Sequence, residues 1–180
     1  NFKILFSKNI PIGAGLGGGS ADAAATLLGL KYLYNKESFS KKITNKEIIK
    51  LGFFIGSDVP SCIYSNSLIL SGKGEIISPS QTPKNLIYLI IYPDKNLSTK
   101  KVFSFFKQNR PVHANKFQNI EIRNSLLLSA CEIEPVIKNV LNKLKSLNNI
   151  KAYGMTGSGS TCFGIFSNSI DLKNALEDLK

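Results

Sequence analysis

The sequence predicts an α+β fold in two parts. Three observations carry that expectation: five glycines between Gly13 and Gly19 lead straight into an alanine-rich helix, a polar, proline-flanked stretch from Pro79 to Pro83 interrupts the chain, and the second half reads β-α-(α)-α-β-β-α. That last order is close to a ferredoxin-like plan without its final strand. The first half opens on one strand with no earlier partner, so both ends read as truncated, and Asn1 in place of Met fits a chain that starts inside an element.

Each element has its own signal. Residues Asn1 to Lys8 alternate Phe2, Ile4 and Phe6 with Lys3, Leu5 and Ser7, the period-two pattern of a half-buried strand. After the glycine run, Ser20 is placed to cap a helix in which Ala23, Leu27, Leu30 and Leu33 recur at helical spacing, with Ala24 and Leu28 beside them, until Asn35. That composition predicts a helix buried over most of its surface. Thr44 and Glu47 form a capping-box pattern ahead of Ile48, Leu51 and Phe54, and Gly56 stops this second helix. Ser67 to Ser71 and Glu75 to Ser78 bracket Gly72-Lys73-Gly74 as a hairpin. Leu86 to Tyr92 is a continuous apolar run read as a buried strand, Ser98 to Lys107 a helix, and Asn109 to Ile122 a loop-like insertion. Ser125 to Cys131 reads as helical, and Glu134-Pro135 opens a helix carrying Val136, Ile137, Val140, Leu141 and Leu144. Lys151 to Thr156 and Thr161 to Phe166 pair as strands around Gly157-Ser158-Gly159-Ser160, and Ile170 to Leu179 closes the chain as a helix.

Composition narrows the class. With 43% hydrophobic residues in 180, the chain can bury a core as one domain or two small ones. No apolar run approaches the ~20 residues that span a bilayer, and no signal-peptide pattern is present, so no membrane partner is expected. Cys62, Cys131 and Cys162 are odd in number and far apart, with no C-x-x-C, which predicts a reduced, cytoplasmic protein. His113, beside Pro111, reads as an exposed loop imidazole with no second metal ligand near it. The formal charge is +11, yet the lysines are scattered and Lys41-Lys42 and Lys100-Lys101 are only short pairs. That distribution argues against a nucleic-acid partner while favouring phosphorylated, anionic small molecules.

The run from Pro11 to Ala24 carries the chemistry. Glycines without Cβ let successive backbone N–H groups converge on an anion, and a helix start adds unpaired N–H groups and the positive end of its dipole. Gly13, Gly15 and Gly18 match G-x-G-x-x-G, but no buried parallel strand follows the helix at the distance a dinucleotide fold needs. No Gly-Lys-Ser or Gly-Lys-Thr closes the loop as a Walker motif does.

Taken whole, Pro11-Ile12-Gly13-Ala14-Gly15-Leu16-Gly17-Gly18-Gly19-Ser20-Ala21-Asp22 resembles the P-x-x-x-G-L-G-(G-G)-S-S-D signature of the GHMP kinases. Gly56-Ser57-Asp58-Val59-Pro60 is similar to that family's G-A-D-V-P, and Met155 to Cys162 to its third, glycine-rich motif, in family order. The resemblance implies a two-domain GHMP architecture: a partial amino-terminal domain of the fold shared with a ribosomal protein domain over residues 1–84, and a ferredoxin-like carboxy-terminal domain over 85–180. It also implies ATP and Mg2+, with Pro11, Gly13, Ala14, Gly15, Leu16, Gly17, Gly18, Gly19 and Ser20 holding the nucleotide phosphates. The two inserted glycines favour the branch that phosphorylates the 2-hydroxyl of a cytidine diphosphate derivative in non-mevalonate isoprenoid synthesis. The rivals are a sibling kinase acting on homoserine or a mevalonate phosphate and, in another class, a basic RNA-binding module.

Individual residues keep two readings. Ser20 can bond a phosphate oxygen or cap the helix; Asp22 reads as a helix-dipole partner before a site carboxylate. Asp58 alone reads as the N-cap of a short turn, whereas the resemblance makes it the base toward the acceptor hydroxyl. Ala21 stands where the family has serine, and the backbone donors are expected to outweigh that missing hydroxyl. The resemblance pairs the Asp58 position with a lysine of an earlier segment; no lysine here takes that role, so the 180-residue chain by itself is expected to be inactive. Thr156, Gly157, Ser158 and Gly159 read as a hairpin turn, or by resemblance as a turn facing the phosphate loop. Phe103, in Ser98-Thr99-Lys100-Lys101-Val102-Phe103, is either a core-facing aromatic or, by resemblance, the ring that stacks on the cytosine. Asn124-Ser125-Leu126 stands where the family has N-D-L.

Overall fold

The computed structural model describes residues 2–37, 41–81, 85–107, 114–117 and 120–179, which divide into two compact units. The first comprises Asn1–Asn9 and Gly17–Thr82, the second Ile10–Leu16 and Pro83–Lys180.

In the first unit, α1 (Gly18–Glu37), α2 (Asn45–Ile55) and α3 (Val59–Tyr64) pack on one another, followed by a hairpin of β1 (Leu68–Ser71) and β2 (Ile76–Pro79). Ala24, Ile48, Gly52, Val59 and Pro60 form its buried centre. Gly52 is there because a Cβ would stand 3.0 Å from the side chains of both Val59 and Ile63, so α2 and α3 meet closely. The Thr44 capping box is present: Glu47 N–H donates to the threonine hydroxyl at 3.3 Å and Thr44 N–H to the Glu47 carboxylate at 2.9 Å. The hairpin over Gly72-Lys73-Gly74 is also present, shifted by one residue.

Three expectations fail in this unit. Residues 2–9 form no strand, because a strand exists only through pairing and no partner stands beside them among the described residues. Helix α1 starts at Gly18, three residues ahead of the Ala21 start that a Ser20 cap implies, so Ser20 lies inside the first turn and does not cap it. The helix is also far from buried: only Ala24 is fully covered and Tyr32 is 66% exposed, since α2 and α3 cover a single stripe of it.

The second unit holds the larger core. Its sheet has the order β3-β7-β6, with β3 (Ile87–Ile91) and β6 (Ala152–Met155) each antiparallel to the central β7 (Cys162–Phe166). The register sets Ile87 opposite Phe166 and Met155 opposite Cys162. Helices α4 (Thr99–Ser104), α5 (Leu127–Ile133), α6 (Val136–Ser146) and α7 (Ser169–Asp178) complete the unit. They bury Val102, Ala130, Ile137, Leu141, Leu144 and Ala175 in one cluster with Met155, Cys162 and Phe166. Burying each large aliphatic or aromatic side chain contributes about 1.5 to 3 kcal/mol.

Three expectations change here. Leu86 to Tyr92 is not a fully buried strand: β3 is an edge strand in which Tyr88 and Ile90 are each 48% exposed. Part of the supposed loop over 109–122 is a hairpin of β4 (Ala114–Phe117) and β5 (Ile120–Arg123), which has no glycine or Asn-Gly pair to mark it in sequence. His113 lies outside the described residues. Helix α4 stops at Ser104, short of Lys107. The three cysteines are free thiols, and burial raises Cys131 and pushes Cys162 up to about 12, so the latter stays protonated.

The capping box has a pH signature. The Thr44 backbone N–H, and after it the Thr44 hydroxyl, hold the Glu47 carboxyl below its ordinary 4.5. Its contribution is therefore present above the unfolded value and lost as pH falls through the lower folded one. Thr44→Ala should lower the urea midpoint near neutrality, and that gap should narrow as pH falls below the ordinary carboxylate range and Glu47 protonates.

Candidate functional site

Two glycine-rich segments far apart in sequence meet inside the second unit. The Gly13 carbonyl accepts from Leu97 N–H at 3.4 Å and the Ala14 carbonyl from Thr161 N–H at 3.1 Å, with Ala14 buried between them. Gly15 has φ +75°, and a Cβ on it would stand 2.6 Å from the Gly159 carbonyl oxygen and 2.7 Å from that of Thr156. No side chain fits. The turn answers in kind: Gly157 has φ +50°, and its Cβ would meet the Gly15 oxygen at 3.2 Å. Backbone therefore lies against backbone, with the turn facing the glycine loop as the family resemblance implies.

The run passes from the second unit to the first between Leu16 and Gly17. Among the described residues, the N–H groups of Gly15, Leu16, Gly17, Gly18, Gly19 and Ser20 have no hydrogen-bond acceptor; the first internal bond there is Ala21 N–H to the Gly17 carbonyl at 3.0 Å. At the start of the 20-residue α1, where the helix dipole is positive, the N–H groups of Gly18, Gly19 and Ser20 are thus left as free donors. Pro11 and Gly13 precede it on the exposed approach. Asp22 pairs with Lys8 and, because α1 starts at Gly18, lies beyond its first turn, so the helix-dipole role expected of it fails.

The turn at Thr156 to Ser160 is braced on several sides. Gly159 N–H donates to the Thr156 carbonyl and Thr156 N–H to the Thr161 carbonyl, both at 2.9 Å. The hydroxyls of Thr99 and Ser158 lie 2.9 Å apart, tying the turn to α4, and the Ser160 hydroxyl donates to the Lys95 carbonyl. Asn124 donates from its amide to the carbonyls of Met155 at 2.9 Å and Gly157 at 2.8 Å. The sequence marks Asn124 only as part of a segment similar to N-D-L, and Thr99 not at all as a site residue. Long-range partners of single polar side chains leave no local pattern. A cavity of about 850 Å³ in this unit, lined by Leu127, Leu141, Tyr153 and Met155 among others, includes none of the predicted site residues.

On α4 it is Val102, fully buried, that enters the core, while Phe103 is 58% exposed. The core-facing reading of Phe103 is thereby set aside. Asp58 stands in the first unit at the head of α3. Its backbone carbonyl accepts from the Ser61 hydroxyl at 2.7 Å, but its carboxylate makes no capping bond and meets only the neighbouring Ser57 hydroxyl, at 3.3 Å, among the described residues. The bland reading of Asp58 as a side-chain N-cap fails, because the chain turns into the helix with Asp58 itself in αR geometry. An exposed carboxylate is left free for other chemistry.

The fold is mixed α+β, and the chain belongs to the GHMP kinase family. Residues 1–66 match the family model of the GHMP kinases N terminal domain, and residues 113–180 that of the GHMP kinases C terminal. It is 38% identical over 164 residues to a 4-diphosphocytidyl-2-C-methyl-D-erythritol kinase of Ruthia magnifica subsp. Calyptogena magnifica, covering 88% of this chain and 55% of that protein. It is 35% identical to the enzyme of that name from Clostridium botulinum (strain Loch Maree / Type A3), covering 99% of this chain and 66% of that one. A crystal structure of 4-(cytidine 5'-diphospho)-2C-methyl-D-erythritol kinase superposes with TM-score 0.74 at 28% identity, over 96% of this chain and 64% of that one. The chain thus spans between half and two thirds of the length of these relatives.

The close approach at Gly15 can be separated from its φ angle. Gly17 has φ +68° but nothing within 4 Å of the place a methyl group would take, so Gly17→Ala should cost only the left-handed strain of about 1 to 2 kcal/mol. Gly15→Ala carries that strain and a collision with two carbonyls. Thermal denaturation should place it clearly below Gly17→Ala, and equal midpoints would refute the close approach.

Proposed function

We propose that this chain is the phosphate-binding and catalytic portion of a 4-diphosphocytidyl-2-C-methyl-D-erythritol kinase. The whole kinase transfers the γ-phosphoryl group of ATP to the 2-hydroxyl of its acceptor in the cytoplasm, as part of non-mevalonate isoprenoid synthesis. The observation that carries this reading is the row of unspent N–H groups from Gly15 to Ser20 at the start of α1. The names of the relatives support the acceptor.

In this reading residues 1–84 form the ATP-binding domain and 85–180 the carboxy-terminal one. Pro11, Gly13, Ala14, Gly15, Leu16, Gly17, Gly18 and Gly19 wrap the nucleotide phosphates, and the Ser20 hydroxyl, free of a capping role, adds a donor. Thr156, Gly157, Ser158 and Gly159 place the transferring phosphoryl group and the acceptor. Phosphoryl transfer depends mainly on such positioning and charge stabilisation. Mg2+ would enter with ATP and offset the charge of its phosphates. Asp58 takes the proton of the 2-hydroxyl as its oxygen bonds to the γ-phosphorus; the bond to the bridging β-γ oxygen breaks and ADP leaves. Phe103 stacks on the cytosine.

The test uses a polypeptide of the relatives' full length that contains this chain. Offered 4-diphosphocytidyl-2-C-methyl-D-erythritol, homoserine and phosphomevalonate side by side, it should phosphorylate the first by far the fastest; preference for either other would overturn the acceptor. Asp58→Asn should keep nucleotide binding by calorimetry and lose roughly 10²- to 10⁴-fold in kcat. Phe103→Ala should raise the acceptor KM by about 10- to 100-fold, the range of a lost base–aromatic stack, with little change in the KM for ATP.

A further inference from the structure

Asn124 uses every polar atom of its side chain on backbone. Its Oδ1 accepts from Leu126 N–H at 2.9 Å, while Nδ2 donates to the carbonyls of Met155 at 2.9 Å and Gly157 at 2.8 Å. The amide orientation is therefore fixed, since a flipped amide would set its oxygen against two carbonyl oxygens and its NH2 against an N–H.

The consequence lies on the far side of one peptide plane. In a trans peptide the C=O and the following N–H point in opposite directions. Holding the Gly157 carbonyl toward Asn124 therefore aims the Ser158 N–H away from Asn124. That N–H has no acceptor among the described residues. The Met155 plane behaves the same way and its N–H, on Thr156, is already taken by the Thr161 carbonyl, which shows how firmly this stretch is set. Ser158 is held at its other end by the Thr99 hydroxyl, 2.9 Å from its own. Gly157, with φ +50° and only hydrogen at Cα, has backbone freedom that an unsupported turn would keep.

We propose that Asn124 is a positioning residue that aims the Ser158 N–H as a fixed donor toward the charge that develops on the transferring phosphoryl group. The proposal rests on the kinase reading above. Its energetic logic is preorganisation: a donor already aimed needs no reorientation when charge develops, whereas one on a free glycine turn must be ordered first.

The experiment compares wild type, Asn124→Asp and Asn142→Asp in the full-length kinase, measuring kcat, KM for ATP and acceptor, and the melting temperature. Asn124→Asp keeps the acceptor for Leu126 N–H but replaces both donors by an oxygen. Asn142→Asp makes the same chemical change at an exposed residue of α6 that lines the neighbouring cavity. Asn124→Asp should lower kcat by about 10- to 100-fold while both KM values stay within about threefold, and Asn142→Asp should match wild type. Undiminished kcat in a folded Asn124→Asp protein overturns the positioning role, as does an equal loss in Asn142→Asp. If Asn124→Asp does not fold, Asn124→Ser, which keeps one donor and one acceptor, should show a smaller loss in kcat with KM preserved, and wild-type kcat there overturns the role. A wild type inactive on every acceptor overturns the kinase reading itself, which separates the two failures.

Discussion

The approach of Gly15 to the carbonyls of Thr156 and Gly159 is the constraint on which the rest of the second unit depends. It requires a backbone with no side chain at one position and positive φ on both sides of the contact. It also requires the partner turn to be stiff, because a loop cannot be located against something that moves. The β6–β7 pairing, the Asn124 bonds and the Thr99–Ser158 contact supply that stiffness from three directions.

From this constraint the chemistry follows in an ordered way. Once Gly13 and Ala14 have given their carbonyls to Leu97 and Thr161, the N–H groups from Gly15 onward remain without acceptors. The peptide groups before Ala21 thus divide their labour: the oxygens of Gly13 and Ala14 anchor the loop, and the nitrogens from Gly15 to Ser20 are left unspent.

Legibility in the sequence tracks the distance over which each signal acts. The Thr44–Glu47 box, the Gly72-Lys73-Gly74 hairpin, the Pro135 helix start and the strand pair around Gly157 are set by neighbours within a few residues, and all are readable. The strand expected at Phe2 to Ser7 and the burial of α1 depend on what lies alongside, which no local pattern contains. The β4–β5 hairpin lacks the turn residues by which hairpins are recognised. In the site, the glycine loop is legible because glycine is chemically singular, whereas Asn124 is not, because one asparagine among many carries no mark of a partner more than thirty positions away. Asp58 is found only through its motif; the structure contributes the freedom of its carboxylate.

The grouping of Ile10–Leu16 with Pro83–Lys180 means that the second unit is woven from two stretches of chain. It is not a cassette. A gene fragment beginning after residue 82 would encode the sheet and helices yet leave the Leu97 and Thr161 amides without the carbonyls that take them here. Recombination that exchanges this half between relatives would have to carry the short upstream strip with it, or join a loop and a turn that never fitted together. The glycine motif and the distant turn are thus one heritable part, although the chain writes Gly15 and Gly157 about 140 residues apart.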